Sequence, residues 1–415
     1  MRMRSVVPGL CVLLSWAVAF AEEKPTRPAL TLEPLIQEAL AKQPEIVALR
    51  KRWEAARFRI PQVTALPDPR LGIEQEATDN FDRLALEVEY QVQQTFPFPG
   101  KLGLRGRVAE EEARRAEAEY HAKQVEIGSR VKAGYYELFL AHKGIEIKRQ
   151  EIEILQNFAK IVETLYAVGK VSQQDVLKAQ TVLAGLFRDM APLEQRKASA
   201  EASLNTLLAR PPDAPLGVPE APGPPSFPYT LEQLRALALE KRPELQASQA
   251  ALAQGEAALA LAQRQFYPDI TVGLEYIQVR DGRDKWEASV GINIPWLWSR
   301  SRYTAQTQEA ESQIAAALAA QQAVRNRTLF EVEDLVVKLR SAERQAALSA
   351  TTILPLAVQT LDAAIPGYQT GKVDFLTLLE NQRAVGDAEI AYHQALVAFE
   401  QRRAELERVV GAQLR

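Results

Sequence analysis

Residues 84–101 read Leu84-Ala85-Leu86-Glu87-Val88-Glu89-Tyr90-Gln91-Val92-Gln93-Gln94-Thr95-Phe96-Pro97-Phe98-Pro99-Gly100-Lys101. From Leu84 to Gln93 apolar and polar side chains alternate, which is the period of a strand with two unlike faces. The pattern returns at Trp286, Ala288, Val290, Ile292 and Ile294, alternating with Glu287, Ser289, Gly291 and Asn293. Shorter or less regular partners lie at Leu71 to Gln75 and Ile270 to Val279. Segments of about 9–11 residues, greasy on one side and polar on the other, suit a barrel with lipid outside and water inside. Two ordinary hairpins capping a soluble helical bundle would also alternate, and that alternative stays open. Phe81, Phe96, Phe98, Phe266, Tyr267, Trp286, Trp296 and Trp298 sit at or beside the strand ends, where an interfacial girdle belongs.

From Lys101 the chain runs to Val168 without a proline. At 1.5 Å per residue that stretch predicts a helix of about 100 Å. Val131, Leu138, Ile145, Ile152, Ala159 and Tyr166 recur every seventh position, the spacing of coiled-coil packing. The run stops at Gly169-Lys170-Val171. Tyr166-Ala167-Val168-Gly169-Lys170-Val171-Ser172 then reappears as Tyr368-Gln369-Thr370-Gly371-Lys372-Val373-Asp374. Glycine takes the left-handed conformation that ends a helix, and Ser172 or Asp374 caps the next one. Ser172-x-x-Asp175 also has capping-box spacing. Both runs are expected to be tight turns of antiparallel helical hairpins.

The chain matches itself. Thr31-Leu32-Glu33 pairs with Thr230-Leu231-Glu232, Pro67-Asp68 with Pro268-Asp269, Phe96-Pro97 with Ile294-Pro295, and Gly169-Lys170-Val171 with Gly371-Lys372-Val373, at separations of 198 to 202 residues. Four landmarks in step indicate an internal duplication. The expected organisation is a first repeat over 22–210, a Pro-rich connector over 211–229 and a second repeat over 230–415. Pro355 and Pro366 predict a kink or break in the second long helix.

With 415 residues, 47% apolar, and a formal charge of -3, the chain can bury a large core and carries no global basic signal for nucleic acid. Arg2 and Arg4, the apolar run from Val6 to Phe20 and Ala19-Phe20-Ala21 form a secretory signal over 1–21. The one cysteine, Cys11, lies inside it, in a poor context for a lipid anchor, so neither disulfides nor thiol chemistry are expected afterwards. No further stretch is continuously apolar for the roughly 18–20 residues of a spanning helix, so a membrane crossing falls to the strands. Four strands cannot close a barrel in lipid, so identical copies must supply the rest.

No enzyme is expected and no cofactor. His121, His142 and His393 are scattered along helices without ligand spacing, Met190 is the one methionine after the signal, and Gly100-Lys101-Leu102-Gly103 lacks a phosphate-loop pattern.

The chain resembles the outer-membrane efflux protein family, the TolC-like channels. The resemblance rests on Gln94 to Lys101, on Tyr166-x-x-Gly-Lys-Val-Ser-x-x-Asp-Val-Leu-x-Ala-Gln180, on the degenerate copy from Gly371 to Gln382, and on the repeat. Phe96 to Lys101 is most similar to the heavy-metal efflux branch. The resemblance implies a mostly α protein with a transmembrane β part: a homotrimer whose twelve-stranded barrel, four strands per chain, continues into a helical periplasmic tunnel. It implies an exit duct of a tripartite pump, docking at its helical tips to a periplasmic adaptor and so to an inner-membrane pump. Carried over by position, the gate carboxylates are Asp175 and Glu380, with Asp374 beside them; Thr377 stands where the second copy of the motif would have an acid. Gly169, Lys170, Val171, Gly371, Lys372 and Val373 become the docking tips. A periplasmic adaptor and an outer-membrane component of type I protein secretion remain the alternatives. The cargo, whether metal ion, drug or polypeptide, stays open.

Overall fold

The computed structural model describes residues 30–80, 83–279, 283–298 and 300–414. The signal segment 1–21 and Phe81 therefore lie outside the described residues. The chain opens with α1 (Leu32–Lys42), α2 (Pro44–Thr64), β1 (Arg70–Asn80) and β2 (Arg83–Phe96). It continues through α3 (Lys101–Ala167) and α4 (Gln173–Leu207). The same succession then returns as α5 (Leu231–Lys241), α6 (Pro243–Arg264), β3 (Ile270–Val279) and β4 (Lys285–Ile292). A short α7 (Pro295–Trp298) leads into α8 (Arg300–Leu348), α9 (Leu354–Gln369) and α10 (Phe375–Val410).

Local chemistry sets these boundaries. Pro44 and Pro243 open α2 and α6, where a missing N–H costs nothing because the first turn has no internal acceptor for it. Gly100, at φ 92°, turns the chain out of β2 into α3. Between α8 and α9, Ser349–Ile353 forms a π-turn immediately before Pro355. Pro355 can neither donate to the preceding turn nor fit beneath it, and the widened turn absorbs both defects without ending the helix. The expected interruption is thus a bulge, and Pro366 is carried inside α9.

The 67 residues of α3 make it about 100 Å long. It packs against α2, α4, α6 and α10. Val131, Leu138, Ile145, Ile152 and Ala159 are buried along it, but Tyr166 is 46% exposed. A stripe of strict sevens rotates by about 20° per heptad on a straight helix, so after five heptads it no longer faces the seam. Its counterpart Tyr368 is buried, 5.6 Å from the Phe375 ring.

The connector 211–229 contains neither helix nor strand, as its prolines require, yet it is strapped down. Leu216 is buried, Asn205 Nδ2 donates to the Ala214 carbonyl at 2.7 Å, and Tyr135 Oη accepts the Glu220 amide at 2.8 Å while donating to the Leu30 carbonyl at 2.7 Å. Arg210, three residues past the end of α4, clasps Glu38 of α1, with Nε 3.0 Å from Oε1. The guanidinium hydrogen bond holds the Glu38 carboxyl down to a pKa of about 2, against 4.5 unperturbed. A lowered folded pKa means stability that is fully present above pH 4.5 and lost as pH falls toward 2. Glu38→Gln is therefore expected to melt below the parent at pH 7 in detergent, with the gap closing between pH 4.5 and 2. A pH-independent gap would rule out linkage through this carboxylate.

By length and mean hydropathy (1.3), the helical run Arg300–Gln369 contains a window that could cross a membrane, contrary to the expectation from continuous apolar runs. Only 17% of that window is buried, and Leu348, Ile353, Leu356 and Val358 point outward. A reading by continuous runs passes over it because interspersed Thr and Gln break the run yet leave it apolar on average.

Candidate functional site: a two-faced sheet above paired helical tips

The strands form one antiparallel sheet in the order β1-β2-β3-β4. Phe96 pairs with Ile270, Tyr90 with both Ile73 and Tyr276, and Ile270 in turn with Ile292. Because side chains alternate across a strand, this register gathers Leu71, Ile73, Tyr90, Val92, Phe96, Ile270, Val272, Leu274, Trp286, Val290 and Ile292 on one face. All of them are exposed. The opposite face carries Arg70, Glu74, Glu89, Gln91, Gln93, Thr95, Thr271, Glu275, Lys285, Glu287 and Ser289, with Ile277 and Val279 as apolar exceptions near the end of β3. An apolar sheet face of this extent in water would be an aggregation hazard; in lipid it is the outer wall of a channel. β1 and β4 are left as edges.

At the base of the sheet lies a contact that the sequence reading did not single out as functional. Lys101, 1% exposed, donates from Nζ to Asp269 Oδ1 and to the Tyr267 carbonyl, each at 2.7 Å. The same Oδ1 accepts the Phe98 amide at 2.7 Å. Phe98 and Tyr267 stack with ring centroids 4.6 Å apart, and the Arg264 guanidinium covers both rings. The turn from β2 into α3 is thus bolted to the start of β3, 168 residues away. Two signals marked it: Lys101 closes the Phe96 to Lys101 motif, and Asp269 is a repeat landmark. Pairing them required knowing that β2 and β3 are neighbours.

At the other end the two hairpins meet. Gly169 and Gly371 adopt φ of 72° and 73°, and the amides of Lys170 and Lys372 donate back to the carbonyls of Leu165 and Gly367, closing both helices. Phe158 and Val162 of α3, Ala179 and Leu186 of α4, Leu361 and Tyr368 of α9, and Phe375 and Leu378 of α10 form one apolar cluster that brings the tips side by side. Lys170, Gly169, Gly371 and Lys372 project into solvent, and Val171 and Val373 are half-buried.

The candidate gate carboxylates divide by role. Asp175 completes a capping box with Ser172, accepting its amide at 3.2 Å and its hydroxyl at 3.1 Å. Asp374 caps α10, accepting the Thr377 amide at 2.8 Å; bonds from Thr377, followed by the nearby Lys178, hold its carboxyl below the usual range. Glu380 is exposed on α10, six residues beyond the cap. Two of the three thus cap helices, whereas Glu380 is unengaged in either cap.

His121 bonds Gln124 at the surface. His142 on α3 and His393 on α10 are half-buried, and burial lowers the pKa of each. Among the described residues no three His, Cys, Asp or Glu side chains cluster as metal ligands would.

A sheet split between an apolar and a polar face, open at both edges and mounted on rod-like hairpins, defines a subunit of a membrane channel. The chain belongs to the outer membrane efflux protein family, whose model matches residues 35–210 and 234–412. It is 26% identical over 390 residues to the cobalt-zinc-cadmium resistance protein CzcC of Cupriavidus metallidurans, covering 92% of this chain and 90% of that one. It is 22% identical to the pyoverdine export outer membrane protein OpmQ of Pseudomonas aeruginosa, over 97% of this chain and 85% of that protein. Its fold matches the crystal structure of CusC with a TM-score of 0.80 at 18% identity, over 92% of each chain. VceC of Vibrio cholerae matches with a TM-score of 0.77 at 21% identity, over 92% of this chain and 97% of that one. The protein is an outer-membrane efflux channel with a large helical periplasmic part, and its family is one of transport proteins. Membership sets aside the periplasmic adaptor alternative.

Proposed function

We propose that three copies close their sheets into a twelve-stranded barrel and their helices into a tunnel, making a passive exit duct for heavy-metal cations. The carrying observation is the four-stranded sheet itself: it has a lipid-type face and a water-type face, yet its edge strands need partners that only further copies supply. Residues 22–210 and 230–415 act as duplicated halves joined by 211–229, and 1–21 directs export and is removed. Glutamates outnumber basic residues on the polar face, which favours cations over anions. Similarity to a cobalt-zinc-cadmium resistance protein supports the metal reading.

The duct works with an inner-membrane pump that supplies the energy and a periplasmic adaptor that grips the tips. Gly169 and Gly371 allow close backbone approach, Val171 and Val373 back the turns, and Lys170 and Lys372 pair with acceptors on the adaptor. Glu380, repeated by symmetry, forms the carboxylate ring of the gate, while Asp175 and Asp374 shape its floor through the caps they hold. The test is reconstitution in planar bilayers, where the parent is expected to conduct with cation preference. Glu380→Ala is expected to lower that preference or leak more in the closed state. Unchanged conductance and selectivity would remove Glu380 from the gate, and a detergent-free soluble monomer would end the duct reading.

A further inference from the structure

The junction at the base of the sheet occurs once within the chain, but the repeat calls for it twice. Asp269 stands just before β3 and locks onto the turn that leaves β2, its neighbour in the sheet. By the internal correspondence, Asp68 stands just before β1 and its lock is the turn that leaves β4. Within one chain β1 and β4 are opposite edges, so Asp68 cannot reach that turn. When copies meet edge to edge, it can.

The free halves of the second lock are present on the two edges. Asp68 is exposed and makes no hydrogen bond or ion pair among the described residues. Arg300 lies near the start of α8, one position past the counterpart of Lys101 by the offset that maps Phe98 to Trp296, and its guanidinium lacks an acidic partner among the described residues. Leu66 corresponds to Tyr267 and Trp296 to Phe98; the latter two residues of the intrachain lock stack on each other, while Leu66 and Trp296 stand 52% and 47% exposed. One edge therefore carries an acid and an apolar side chain, and the other a cation and an indole, with no ion-pair or ring partner for either set among the described residues.

We propose that Asp68 of one copy receives the Trp296 amide and the Arg300 guanidinium of the next, with Leu66 packed on Trp296, as an intermolecular twin of the Lys101–Asp269 lock. This rests on the trimeric duct proposed above and assigns the contact that selects its register. The lock brings β4 alongside β1 antiparallel with Ile292 opposite Leu71, Val290 opposite Ile73 and Ala288 opposite Gln75. That alignment keeps the apolar face continuous around the ring, which a slip by one residue would break.

The experiment uses the full chain purified from outer membranes in detergent. Leu71→Cys combined with Ile292→Cys is expected to give covalent dimers and trimers on non-reducing gels, and neither single variant should, since opposed Cβ atoms lie within disulfide reach only across the interface. Asp68→Arg and Arg300→Asp are each expected to lose the trimer band in unheated SDS samples, and the double exchange Asp68→Arg/Arg300→Asp to restore it. A single variant missing from the outer membrane counts as loss only when the double variant returns. If the cysteine pair cross-links but both single charge reversals keep the parental trimer, or the double exchange fails to rescue, the lock is wrong and the trimer stands. If the cysteine pair gives no cross-links and the parent runs without a trimer band, the trimeric reading falls and the lock with it.

Discussion

Asp269→Asn is expected to destabilise this protein by about 3–5 kcal/mol, because it leaves the Lys101 ammonium, almost wholly buried, without a counter-charge. Lys101→Met is expected to cost less. The Asp269 side chain retains 23% exposure and the Phe98 amide, so a carboxylate abandoned there keeps a donor and some water. The double variant Lys101→Met/Asp269→Asn should be more stable than Asp269→Asn alone, since removing both charges removes the desolvation penalty together with the attraction. Urea unfolding in detergent, with the amount of protein in the outer membrane as a second readout, measures all three. Should Lys101→Met prove as damaging as Asp269→Asn, the cost would lie in lost packing around the lysine stem, and the ion pair would not be what holds β2 and α3 to β3.

A combined Gly169→Trp/Gly371→Trp variant is expected to assemble normally and export nothing. Both glycines occupy the left-handed region, which costs another residue about 1–2 kcal/mol at each site. Nothing lies within 4 Å of where a Cβ would stand, so the indoles project outward and leave the apolar cluster beneath the tips undisturbed. The damage is confined to the tip surface that the proposed function gives to the adaptor. Gly169→Asn/Gly371→Asn is the control, because asparagine tolerates the left-handed conformation and adds little bulk. On the heavy-metal duct proposed above, in a strain lacking the native chain, the Trp variant should fail to restore growth in zinc, cadmium or cobalt and lose site-specific cross-linking to the adaptor, while the Asn variant restores both. Full tolerance and retained cross-linking with the Trp variant would place docking elsewhere on the molecule.

The two predictions probe opposite ends of the same rod, and the ends differed in how much could be read in advance. Both tips were legible because their signals are local: a glycine with positive φ, a capping residue three positions on and a fresh apolar run specify the turn within about ten residues. The same local logic limited the gate. Sequence placed Asp175, Asp374 and Glu380 near the tips, but only the folded turns reveal that the first two are engaged in helix capping. Tyr166 belongs to a seven-residue stripe that has rotated off the seam and is exposed, whereas Tyr368 is buried against the Phe375 ring.

The sequence by itself determined that this chain has strands with unlike faces, helices too long for an ordinary domain and tight hairpin turns, because each of these is written in spacings between near neighbours along the chain. What only the tertiary structure decided is which distant segments share an edge. The pairing of β2 with β3 bolts Lys101 to Asp269, and the opposite placement of β1 and β4 leaves Asp68, Trp296 and Arg300 unmatched among the described residues. Such contacts join residues well over a hundred positions apart and are selected by strand order and by burial, neither of which has a period that a sequence can display.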